Sequence, residues 1–96
     1  MNRLEKLKIL CEDAKKLHDS DSKGGAGHVT EKAANAVYEA GLGSVTLYAS
    51  LDAKEYSLTA MRMHRTQKPK YAEHFHRMAS KAVQEMIDGI QSVIDS

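Results

Sequence analysis

Three features of this 96-residue chain predict an all-α fold. Apolar residues recur at spacings of three and four over most of its length. The apolar volume comes from Ala, Leu, Ile, Val and five Met, with 5% aromatics and no Trp, a palette suited to helix packing more than to sheets. The only proline, Pro69, and the cluster Gly24-Gly25-Ala26-Gly27 fall between periodic runs. The expected architecture is a single domain, 1–96, with a short N-terminal helix and a long antiparallel helical hairpin, its bundle completed by oligomerisation.

The first helix is predicted over residues 2–19. Leu4, Leu7, Leu10, Cys11, Ala14 and Leu17 share one face, and charges such as Arg3, Lys6, Glu12 and Lys16 occupy the other. A glycine-rich loop, 20–29, follows, with Thr30 as N-cap of the next helix. The loop lacks the order of a phosphate-binding P-loop, because Lys23 precedes the glycines. One long helix is predicted over 30–66, bent at 41–44. Val37, Gly41, Val45 and Tyr48 keep one register across the glycines, and Leu51 and Leu58 continue it. The alternative is two helices, the second capped by Ser44. The turn is placed at 67–69, since the residue before proline avoids the α region. A last helix is predicted over 70–94, with Ala72, Phe75, Ala79, Ala82, Met86 and Val93 as its seam, widened by Tyr71, Met78, Val83, Ile87, Ile90 and Ile94.

At 1.5 Å per residue the 30–66 helix would be about 55 Å long. A chain of this size has too few elements to cover it, so the surplus apolar stripe should meet a second copy. The competing arrangement is a monomeric bundle in which Gly41–Gly43 is a real turn.

Composition excludes several classes. The net charge is +1, so the chain is not globally basic. One cysteine cannot form an internal disulfide, which suits a reducing, cytoplasmic setting, and Cys11 is read as a structural thiol. No apolar h-region opens the sequence and no run approaches the length of a membrane span.

Charge is instead concentrated. Residues 62–77 hold Arg62, Arg65, Lys68, Lys70 and Arg77 against one acid, Glu73, with three of the five histidines. Cations at a turn, beside the N–H groups of a new helix, suit an anion. The expected ligand site is Arg62, Arg65, Lys68, Lys70, Tyr71, His74 and Arg77, with the rings available for stacking on bases. Protonation of the histidines in mild acid should strengthen binding. Glu73-x-x-His76 has the spacing of a di-iron bundle ligand pair, and His64 is placed to approach Glu73, but the carboxylate set is incomplete and no metal or other cofactor is expected. No nucleophile–base arrangement is recognisable, so no enzyme is expected. The expected function is therefore a homo-oligomeric cytoplasmic module that binds a nucleotide or nucleic acid. The alternative is an adaptor or inhibitor of a larger protein, contacting it through Tyr48, Tyr56, Met61, Met63 and Met78.

Overall fold

The computed structural model describes residues 2–21 and 23–96; Met1, and Ser22 of the predicted loop, lie outside them. The described residues form four α-helices and no strand: α1 (Arg3–Asp19), α2 (Ala26–Ala40), α3 (Ser44–Arg65) and α4 (Pro69–Asp95). Each helix packs on the next and α4 returns to α1, while α1 and α3 do not meet. The cross-section is thus a square, the arrangement of a four-helix bundle, in a body of 44 × 24 × 16 Å.

The first helix is capped by Asn2, whose Oδ1 accepts the Glu5 N–H at 2.9 Å. It buries Leu7, Cys11 and Ala14 of the predicted face and His18 with them, while Leu4, Leu10 and Leu17 are half-buried. The Cys11 thiol is fully enclosed, and burial, with a smaller effect from Glu12, pushes it up to about 12. It is held as an unreactive core group.

The predicted loop is shorter than expected. α2 begins at Ala26, after Gly25 at φ +82°, so Thr30 is not an N-cap but a buried residue within the helix. The loop is tied down by Lys23, whose Nζ donates to the carbonyls of His18 and Ser20.

The single long helix over 30–66 is also corrected. Gly41 at φ +64° and Gly43 at φ +105° end α2 and start α3 as separate helices. Both angles lie in the region where a side chain is strained and glycine is not. The register shared by Val37, Gly41, Val45 and Tyr48 does not mark one helix face. With α2 folded against α3, the argument for a second copy from one uncovered helix of that length loses its premise.

α3 faces the core with the opposite side from the one its apolar pattern predicts. It buries Thr46, Ala49, Ser50, Ala53, Ser57 and Ala60, all small, while Val45, Tyr48, Leu51 and Leu58 are exposed. Small inward residues let neighbouring backbones come close, and one contact shows how close. A Cβ on Gly89 of α4 would overlap the Thr46 side chain.

α4 buries Ala72, Ala79, Ala82, Val83, Met86, Ile87 and Ile90 as the seam predicts, and His76 and Ser80 with them, while Tyr71 and Val93 are exposed. Between α3 and α4 the chain closes in a Schellman motif. Gln67 sits at φ +57°, its N–H bonds the His64 carbonyl at 3.1 Å, and the Lys68 N–H bonds the Met63 carbonyl at 2.9 Å.

Replacing Gly89 by Ala gains helix propensity of roughly 1 kcal/mol but overpacks a β-branched neighbour, at a cost of about 1–3 kcal/mol. Urea denaturation of Gly89→Ala should show a net loss of stability, and Gly89→Ala/Thr46→Ala, which removes the hydroxyl and methyl that the new Cβ meets, should recover much of it.

Candidate functional site

The predicted cations gather where α3 passes into α4. Arg62 and Arg65 lie in the last turn of α3, Lys68 is the N-cap of α4, and Lys70 follows Pro69. All four are exposed, as are Tyr71, His74 and Arg77. Among the described residues only Arg77 of this set has an ion pair, to Glu73 at 3.6 Å. The side chains of the other four cations are not used to cap the carboxyl end of α3. The terminal carbonyls of α3 are taken by backbone N–H groups and by the Thr66 hydroxyl, which donates to the Arg62 and Met63 carbonyls at 3.0 and 3.3 Å. At the opposite pole, α4 opens with no side-chain cap. The first N–H groups of a helix have no intrahelical partner, so this turn adds donors and positive potential to the cations beside it.

Beneath this end runs a feature the sequence reading missed. The Thr30 Oγ1 lies 2.7 Å from His18 Nε2, His18 Nδ1 lies 2.7 Å from His76 Nδ1, and His76 Nε2 lies 2.8 Å from His64 Nε2. The string takes one residue from each helix: His18 from α1, Thr30 from α2, His64 from α3 and His76 from α4. Thr30, His18 and His76 are buried; His64 reaches the surface. His64 therefore meets His76 and not Glu73, as the sequence reading has it.

The spacing fits shared protons. Two nitrogens on one tetrahedral zinc, each about 2.0–2.1 Å from the ion, would be about 3.4 Å apart. At 2.7 and 2.8 Å each nitrogen pair needs one hydrogen between them. Proton bookkeeping fixes the tautomers. Among the described residues Thr30 has no other hydrogen-bond partner, so its hydroxyl proton is used only where it donates to His18 Nε2. His18 then carries its proton on Nδ1 and donates to His76 Nδ1. His76 carries its own on Nε2 and donates to His64 Nε2, which leaves the His64 Nδ1–H at the outer end. Three neutral imidazoles satisfy every link. Any added proton places two hydrogens in one link or strands the Thr30 hydroxyl.

The electrostatics agree. Burial holds His18 well below its ordinary 6.5, at about 4, and His76 and Lys23 push the same way, against Asp19. Burial likewise holds His76 at about 4, reinforced by Lys23 and His64 and opposed by Glu73. His76 thus stays neutral in mild acid and adds no charge to the basic end, which corrects the expectation that all three histidines there strengthen anion binding.

No protein-family model, curated protein or solved structure matches this chain.

The string makes stability depend on pH with a definite sign. For His18 and His76 the folded pKa lies below the unfolded value of 6.5. As pH falls, the unfolded chain takes up protons first. Stability is therefore full above about 6.5 and is lost progressively between about 6.5 and 4, with a maximum slope of about 2.7 kcal/mol per pH unit for two histidines. Urea midpoints measured at neutral pH and at several points down this window should fall steeply; midpoints that stay level would contradict the string.

Proposed function

We propose that this chain is a non-enzymatic binding module that captures a phosphate-bearing anion, a nucleotide or nucleic acid, on the basic end formed by the α3–α4 junction. One observation carries the reading: Arg62, Arg65, Lys68 and Lys70 are exposed and make no ion pair among the described residues, next to an uncapped helix N-terminus. Charge of one sign held together without compensation raises the local concentration of anions. Guanidinium groups match phosphate geometry, and the lysines add point charge. Tyr71, exposed beside Lys70, offers a face on which a base can stack.

The reading includes an antiparallel α3–α4 hairpin and self-association. The bundle leaves Val45, Tyr48, Leu51 and Leu58 on the outside of α3, so a homo-oligomer is proposed here on the α3 part of the stripe that the sequence suggested. The adaptor alternative draws on the same face. Of its five candidate contacts only Tyr48 is exposed, while Tyr56, Met61, Met63 and Met78 are half-buried, which favours the anion reading.

A short fluorescent DNA duplex tests it. If four cations each neutralise a phosphate, affinity should fall about a hundredfold between about 50 and 200 mM salt. Arg65→Glu and Lys70→Glu should each weaken binding at least tenfold with the helical circular dichroism unchanged. Binding indifferent to salt and to both reversals would refute the proposal.

A further inference from the structure

We infer that the outer face of α3 is a self-complementary seam on which a second copy of this chain docks antiparallel, with Leu51 next to the two-fold axis. This rests on the self-association included in the functional reading, and it adds the surface and the register.

The first observation is the inversion of α3. A helix packed in a bundle normally turns its bulkiest apolar side chains inward. Here the inward face is built of Ala, Ser and Thr, and the outward side chains are Val45 at 77% exposure, Tyr48 at 64%, Leu51 at 46% and Leu58 at 39%. Tyr38 of α2, 52% exposed, flanks Leu51 across a shallow groove and widens the apolar area. The fold of one chain gives these groups no partner.

The second observation is spacing. Positions 44, 48, 51, 55, 58, 62 and 65 alternate steps of four and three along the exposed side. That is the seven-residue period at which a stripe stays turned toward a partner helix.

Charge selects the direction. The stripe reads Tyr48, Leu51, Glu55, Leu58, Arg62 from amino to carboxyl end. A parallel second copy would set Glu55 against Glu55 and Arg62 against Arg62. An antiparallel copy centred beside Leu51 sets Tyr48 beside Glu55 of the second copy, so the phenol can donate to the carboxylate, and it covers Tyr48, Leu51 and Leu58, with Val45 at the margin. The same register carries the two Arg62 side chains to opposite ends, about 32 Å apart at 1.5 Å per residue, well beyond the screening length of about 8 Å in physiological salt. Both basic ends stay open. An isologous contact of this kind closes as a dimer.

Sedimentation velocity at two concentrations, with cysteine cross-linking, tests the seam. The wild-type chain should run at twice its 10.6 kDa mass at the higher concentration. Leu51→Glu/Leu58→Glu should run as a folded monomer with unchanged circular dichroism, whereas Ile9→Glu, on the exposed side of α1, should leave the dimer intact. Leu51→Cys should form a symmetric disulfide under mild oxidation, and Leu58→Cys alone should not. A wild-type chain that is monomeric throughout would overturn self-association and the seam together. A dimer indifferent to Leu51→Glu/Leu58→Glu would overturn the seam alone, and efficient cross-linking by Leu58→Cys would overturn the register.

Discussion

The structure turns on a row of polar groups where a core of this size should least tolerate them. His18, His76 and Thr30 are buried side chains with ring nitrogens and a hydroxyl that water cannot reach. Each would cost about 1–3 kcal/mol if left unpaired. They are paired only with one another and with His64, and each comes from a different helix. Apolar surfaces slide over one another at little cost, but a hydrogen bond is lost within a fraction of an ångström. The string therefore fixes the axial position of all four helices at once, while the alanine-rich remainder of the core supplies closeness without register. It also holds His18 and His76 neutral, which ties the fold to pH.

That constraint and the basic end occupy the same pole of the bundle. A row of imidazolium groups under Arg62, Arg65, Lys68 and Lys70 would add like charge to an uncompensated cluster. Neutral imidazoles pack there without doing so, and Lys23 helps to hold them neutral. The string thus supports the cations without joining them. Anion capture would depend on side chains that are exposed and always charged, and integrity of the fold on side chains that are buried and uncharged.

How far this could be seen in the sequence follows from which forces are local. The faces of α1 and α4 were legible because their bulky residues do point inward, and the α3–α4 turn was legible because proline constrains its neighbours wherever it stands. The break at Gly41–Gly43 was masked by a coincidence, since Val37, Gly41, Val45 and Tyr48 are spaced as on one helix even though the two glycines adopt left-sided φ values that end it. α3 misled because hydrophobic periodicity reports which face is apolar and not what covers it. The residues singled out at the basic end are local in sequence and lie together on the surface, whereas the string was not found at all. Its members lie at positions 18, 30, 64 and 76, and only tertiary packing joins them. A signal was nonetheless present. His18 continues Leu7, Cys11 and Ala14, His76 sits between Ala72 and Ala79, and Thr30 lies four residues after Ala26 and three before Ala33, so each polar residue holds a core position. Polar groups on buried stripes of three different helices need one another.

Nitrogen-15 NMR of the histidine side chains at neutral pH observes the string most directly, because tautomers give separate ring-nitrogen shifts. His18 should carry its proton on Nδ1 and His76 on Nε2, both rings neutral. A proton on Nε2 of His18, or an imidazolium at either buried ring, would contradict the account.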